Sequence, residues 1–171
     1  MRGLVHIYCG DGKGKTTAAV GLAVRCAGGG GKVLFVSFLK DNKSGERNIL
    51  GQLENVTLLK NPDSLDFYKT MTDAQKEEYR QFCEKTMEIT EQTFDSYDMI
   101  VMDEIMAALS HNLIDSDRII KLIENRSRQE IVLTGRNPSS ELKALADYIT
   151  EMKKIKHPFD SGIKARKLIE M

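Results

Sequence analysis

The 171 residues contain no tryptophan, only three cysteines, no long apolar run and no surplus of charge of either sign. Cys9, Cys26 and Cys83 are odd in number and far apart, which leaves neither a disulfide framework nor a CxxC metal knuckle and points to reduced thiols. No segment approaches the roughly 20 apolar residues of a membrane span. The apolar run that starts at Leu4 is too short for a secretory signal, so a cytoplasmic protein is expected. Lys and Arg number 25, balanced by 25 Asp and Glu. A chain whose partner is a phosphate backbone usually carries a basic excess, so no nucleic-acid partner is expected. Repeats, low-complexity tracts and a second core are missing too. The 41% hydrophobic share is enough for one globular core, and residues 1–171 are expected to form a single domain.

Short β-rich apolar runs alternate with helical stretches, the pattern of βαβ units and a parallel sheet. Strands are expected at 4–9, 32–39, 55–60, 97–102, 130–134 and 148–152. A helix is predicted over 16–27, with small residues Ala18, Ala19, Gly21 and Ala23 suited to close packing and the 28–31 glycine run ending it. Thr72 and Gln75 have the spacing of a capping box and open a long helix reaching about Phe94. Tyr79, Phe82, Thr86, Ile89 and Thr93 form its expected apolar stripe. Asp115 caps a further helix. Asn137-Pro138 is expected to start another, as a cap followed by proline. The segments 40–48 and 61–71 are expected as loops. The fold class is therefore α/β, a doubly wound, mostly parallel sheet of five or six strands.

The strongest chemical signal is Gly10-Asp11-Gly12-Lys13-Gly14-Lys15-Thr16-Thr17, between a predicted strand and a predicted helix. Phosphate binding needs converging backbone N–H groups, hence glycines, and gains from a helix N-terminus. It also needs a lysine for outer phosphates and a hydroxyl for Mg²⁺, here Lys15 and Thr16. Lys13 adds a second cation whose nearness to Lys15 asks for an anion between them. The loop is one residue shorter than the general P-loop, since Cys9 stands six positions before Lys15. The apolar strand ending in Asp103-Glu104 is the second signal. In P-loop proteins such a strand lies beside the P-loop strand, and its carboxylate holds the metal or its waters. Either Asp103 or Glu104 can serve. Arg136 follows the 130–134 strand, at the edge where open α/β sheets bind ligands or where an arginine caps a helix end.

These residues, in order, resemble the P-loop type of corrinoid adenosyltransferase. The segment 10–19 is similar to that family's shortened P-loop. So are Arg25 with the glycines after it, Phe38, Lys40 and Gly45-Glu46-Arg47-Asn48 to the segment that follows the second strand. The acidic strand end, Thr134-Gly135-Arg136, Thr150-Glu151-Met152 and Lys156-His157-Pro158-Phe159 are similar to the rest of its length.

The resemblance implies a P-loop nucleotide-binding, RecA-like architecture and an enzyme of cobalamin biosynthesis. Its substrates would be ATP, with Mg²⁺ (or Mn²⁺), and a corrinoid reduced to Co(I), which takes the 5′-deoxyadenosyl group as triphosphate leaves. Lys13, Lys15, Thr16 and Glu104 are the implied catalytic residues. Residues 10–17 with Arg25 and Arg136 would hold the nucleotide, and Thr16, Asp103 and Glu104 the metal. Relatives place a tryptophan among the aromatics of the loop before the long helix. Here Phe67 and Tyr68 occupy that region and are expected to face the corrinoid. A homodimer and a flavoprotein reductant are likewise implied. The alternative reading is an ATPase or kinase acting at the γ-phosphate, with Glu104 and Arg136 in the parts it needs.

Overall fold

The computed structural model describes residues 2–166, 168 and 169. Its strands are β1 (Val5–Cys9), β2 (Val33–Ser37), β3 (Val56–Leu58), β4 (Met99–Asp103), β5 (Glu130–Thr134) and β6 (Tyr148–Glu151). They form one sheet in the order β3-β2-β4-β5-β1-β6, with every pairing parallel. The acidic strand therefore does not lie beside the P-loop strand: β5 stands between β4 and β1. The expected doubly wound α/β sheet is otherwise present.

Side-chain alternation makes the sheet two-faced. On β4, Ile100 and Met102 join one core and Met99 and Val101 the other. On β2, Leu34 and Val36 divide from Val33 and Phe35 in the same way. A strand buried on both faces reads as a continuous apolar run, and β2 is buried at all five positions. One face takes α1 (Lys15–Gly28), whose fully buried Ala19 and Ala23 let its axis approach the sheet closely. The other takes α3 (Asp73–Thr93), α4 (Ile105–Ser110), α5 (Ser116–Asn125) and α6 (Ser140–Leu145).

The capping box of α3 forms as expected, with Gln75 N–H donating to Thr72 Oγ1 and the Gln75 side chain accepting from the Thr72 amide. Its buried stripe is rotated by about one residue from the expected one. Tyr79, Cys83, Thr86, Met87 and Thr90 face inward while Ile89 is exposed. Threonine tolerates this because Thr90 Oγ1 donates to the Thr86 carbonyl at 2.8 Å, satisfying its hydroxyl inside the core. Two expected loops contain local structure: α2 (Gly45–Leu50) and a 3₁₀ turn at Tyr68–Thr70.

The helix expected to start at Asn137-Pro138 starts later. Asn137 adopts φ 53°, turning the chain out of β5, and Ser139 is the cap, its hydroxyl accepting from Leu142 N–H at 3.2 Å. Edge strand β6 is exposed along its whole length. Among the described residues no helix is long and apolar enough to cross a membrane.

Ile100, in the sheet's centre, is fully buried. Ile100→Ala should cost about 2–5 kcal/mol through lost transfer energy and the cavity left behind. Thr72→Ala, which removes one exposed cap, should cost about 1 kcal/mol. Urea unfolding should show both as lower midpoints at an unchanged m-value.

Candidate active site

All six strands run the same way, so their carboxyl ends meet along one edge, and the chemistry collects there. The chain leaves four of these ends through backbone that ordinary residues avoid. Leu39 (φ 51°) follows β2, Glu104 (φ 58°) follows β4, Gly135 and Asn137 follow β5, and Gly10 follows β1. Positive φ at bulky residues persists only where the surroundings impose it, and such positions gather at functional sites. Here the imposing contacts are visible. Leu39 N–H donates to the buried Tyr79 hydroxyl at 2.6 Å, and Glu104 N–H donates to Thr134 Oγ1 at 2.9 Å. Phe38 N–H donates to the Asp103 carbonyl at 2.9 Å, which ties the exit of β2 to the exit of β4.

The glycine loop runs from β1 into α1, with Gly14 (φ 115°) at the cap position. Gly10 and Gly12 are required for a reason the sequence did not suggest: an added Cβ would lie 2.4 and 2.7 Å from the Met152 carbonyl oxygen. The segment after β6 braces the loop. Met152 N–H donates to the Cys9 carbonyl, and Gly12 N–H donates to the Met152 carbonyl at 2.7 Å. Asp11 turns to the same brace, accepting from Lys154 N–H at 3.0 Å, a bond that holds its carboxyl below the usual range. The Gly12 amide and the Asp11 carboxylate, both expected at the nucleotide, thus hold the loop to the 152–154 segment in this structure.

Lys15 is buried, and its ammonium donates to the Gly12 carbonyl at 2.9 Å. Lys13 and Thr17 are exposed beside it. Thr16, one residue into α1, donates to Asp103 Oδ1 at 2.9 Å. The Asp103 carboxylate is fully buried and gathers two further donors, Thr134 Oγ1 at 2.7 Å and Lys40 Nζ at 2.6 Å. Lys40 also donates to Thr16 Oγ1 at 3.0 Å, closing a triangle of hydroxyl, carboxylate and ammonium. An ammonium seated between these two oxygens marks a position fit for a small hard cation. Among the described residues no cluster of three or more His, Cys, Asp or Glu could hold a metal alone. Thr16 and Asp103 together offer the one or two oxygens that Mg²⁺ takes from a protein when waters and substrate phosphates complete its shell.

Of the two acids left open by the sequence, Asp103 is the one bonded to Thr16. Glu104 lies beside it, and burial first, then the Asp103 charge, raise its carboxyl above the usual range. Lys40, Lys15 and Arg136 offset this in part. Arg136 is exposed at the end of β5 and acts on Asp11 and Glu104 through its charge. Arg25 is not gathered with the others. It lies in the last turn of α1, ten residues or about 15 Å of helix from Lys15, and it is exposed there.

Phe67 and Tyr68 border a cavity of about 850 Å³ at this same edge, whose wall also includes Lys40 and His111. Phe67 is 87% exposed. The Tyr68 ring stacks on His111 at 4.2 Å between centroids. The sequence offers Lys40 and Thr134 only within the resemblance and Tyr79 only in the stripe of α3, and it gives none of them, nor His111, a role at the site. Lys40 and Thr134 did carry a signal, as polar residues at or just after the carboxyl end of buried strands in a parallel sheet. His111 and Tyr79 meet the site only through packing.

A parallel α/β sheet with a glycine loop feeding a helix, and a buried acid bonded to that helix's first hydroxyl, defines a RecA-like P-loop nucleotide-binding protein. A KaiC-like protein from Pyrococcus horikoshii shares the fold, with a TM-score of 0.51 at 15% identity over 89% of this chain and 73% of that one. The profile of the family described as ATP:corrinoid adenosyltransferase BtuR/CobO/CobP matches residues 1–171. The corrinoid adenosyltransferase of Escherichia coli K12 is 31% identical over 96% of this chain and 84% of its own length. That of a Sinorhizobium species is 33% identical over 99% and 80%. The chain belongs to the ATP:corrinoid adenosyltransferase family and is an enzyme of that class.

Because its folded pKa is raised, Glu104 contributes stability that is fully present below its unfolded value, about 4.3. That contribution is lost as pH rises through the folded value. Glu104→Gln removes this loss. Calorimetry without nucleotide should find the variant's Tm above wild type at pH 7, with the difference vanishing as pH falls below about 4.

Proposed function

We propose that the enzyme transfers the 5′-deoxyadenosyl group of ATP to the Co(I) centre of a corrinoid, cobalamin or a precursor, and releases triphosphate. One observation carries this reading. The phosphate-side cluster of Lys15, Thr16 and Asp103 and the aromatic-edged cavity share a wall residue, Lys40, bonded to the first and bordering the second. A nucleotide at the loop and a large planar ring in the cavity would therefore be neighbours.

The chemistry needs no protein nucleophile. The cobalt electron pair attacks the ribose C5′ carbon, the C5′–O bond breaks, and the oxygen leaves with its pair as triphosphate. The protein's work is to align C5′ between cobalt and the leaving oxygen, a positioning effect that can be worth about 7–11 kcal/mol. It must also stabilise the charge growing on the triphosphate, the task we assign to Lys13, Lys15, Arg136 and the loop amides that follow Gly12. Mg²⁺ (or Mn²⁺) would be held at Thr16 and Asp103, with Glu104 beside it, and would neutralise phosphate charge. The shortened loop fits a nucleotide lying reversed relative to ordinary P-loop enzymes.

Phe67 and Tyr68 take the corrinoid side in this reading. Their apolar faces would fill the space left by the lower axial base and keep water from cobalt. A flavoprotein would supply the electron that makes Co(I). We also propose a cytoplasmic homodimer of single-domain chains. The exposed apolar side chains Tyr148, Ile149, Ile155 and Phe159 support the dimer, being more apolar surface than an isolated edge strand and its sequel need expose.

Anaerobic mixing with Co(I) cobalamin, ATP and Mg²⁺ should bleach the Co(I) absorbance and release triphosphate. Orthophosphate release without a cobalt–carbon product would overturn the proposal in favour of γ-phosphate chemistry. Lys15→Ala removes a charge-assisted contact worth about 1.5–3 kcal/mol, so kcat/KM should fall by about 10- to 150-fold. The Phe67→Ala, Tyr68→Ala double variant should lose more activity when assayed from Co(II) with a flavoprotein reductant than from chemically reduced Co(I).

A further inference from the structure

Lys40 is bonded to both oxygens at which the proposed metal would sit, and its placement is built into the fold. Its backbone follows the left-handed Leu39, which is pinned by the buried Tyr79 hydroxyl, while Phe38 N–H is pinned by the Asp103 carbonyl. These two contacts aim the side chain of Lys40 at Asp103. The ammonium then lies 2.6 Å from Asp103 Oδ2 and 3.0 Å from Thr16 Oγ1. A divalent cation needs oxygens at about 2.0–2.1 Å for Mg²⁺. It cannot share them with an ammonium at hydrogen-bond distance, because like charges at that separation repel strongly in a buried setting. The buried Asp103 carboxylate, in turn, cannot stand without a compensating positive charge at little cost.

We propose that Lys40 is an internal stand-in for the metal. It neutralises Asp103 and keeps the Thr16 hydroxyl occupied until the metal–nucleotide complex arrives, and it is then displaced into the neighbouring cavity. The exit exists: the Lys40 side chain is 26% exposed, against 0% for Asp103. The same side chain borders the 850 Å³ cavity, where Asp41, Glu46 and Asp66 offer carboxylates to receive the ammonium. Arrival of nucleotide at one end of the site would thereby change the charge lining the place of the second substrate. This inference rests on the reading that the metal binds at Thr16 and Asp103.

Binding of Mn²⁺ alone to the full chain, followed through the electron paramagnetic resonance signal of free Mn²⁺, tests the competition. Lys40→Met should bind Mn²⁺ more tightly than wild type by about tenfold, within the usual span of coupling between two sites. Its Tm should be lower without metal and should rise further than that of wild type when Mn²⁺ is added. A lysine that merely supports the loop would lower Tm and leave Mn²⁺ affinity where it was, and that result overturns the proposal. A second measurement needs no variant. Acylation of lysine amines, mapped by mass spectrometry on wild type, should find Lys40 protected in the free chain and reactive once ATP and Mn²⁺ are added. Protection in both states also overturns it. Asp103→Asn separates this inference from the reading beneath it. If that change leaves Mn²⁺–ATP binding untouched, the metal lies elsewhere and both fall. If it weakens binding while Lys40→Met has no effect, only the role of Lys40 falls.

Discussion

Asp103 ends β4 with its carboxylate sealed from solvent, a placement that costs several kcal/mol unless donors and a counter-charge surround it. Each donor comes from a different part of the fold: Thr16 from the first turn of α1, Thr134 from the end of β5, and Lys40 from the exit of β2. The register that sets Ser37 opposite Asp103 brings the β2 exit to the acid. One buried charge therefore ties three strand ends and a helix start into a common geometry. A shift of any of these elements would take a donor from a carboxylate in a dry core, which makes the arrangement specific as well as stable.

The strand exits carry the strain of that arrangement. Leu39 and Glu104 adopt backbone that L-residues disfavour, and each is held there by a hydrogen bond from its own amide, to Tyr79 and to Thr134 respectively. The glycine loop is held differently, by the 152–154 segment pressing against it closely enough that a Cβ at Gly10 or Gly12 would collide with a carbonyl. The C-terminal third thus acts as a brace of the glycine loop, and an apparently remote stretch of chain shapes it. Because the Gly12 amide already has a partner, an anion at the loop would meet the amides beyond it, towards Gly14 and the start of α1.

The RecA-like sheet is shared with a KaiC-like protein at 15% identity, so the architecture alone says little about the reaction. What this chain adds to that sheet is local: a loop one residue short, a lysine bonded to both Thr16 and Asp103, and a wide cavity bordered by aromatics at the sheet edge.

The amino-acid sequence by itself determined the strands, the P-loop, the acidic strand end and the capping box of α3. These depend on nearest-neighbour chemistry: alternation, glycine spacing, and a hydroxyl three residues before its partner. It did not determine that β5 would stand between β1 and β4, since strand order is decided by which faces bury one another. It groups Arg25 with the loop only through the resemblance, and a helix of fourteen residues separates the two along the chain. It gives no sign that residues about 140 positions later bond the Asp11 carboxylate and the Gly12 amide. Lys40 was visible as a residue but not as a cation on Asp103, because that contact joins two strand exits 63 residues apart. Only tertiary packing selects between a lysine in solvent and a lysine on a buried carboxylate, and here the cost of burying Asp103 alone makes the selection.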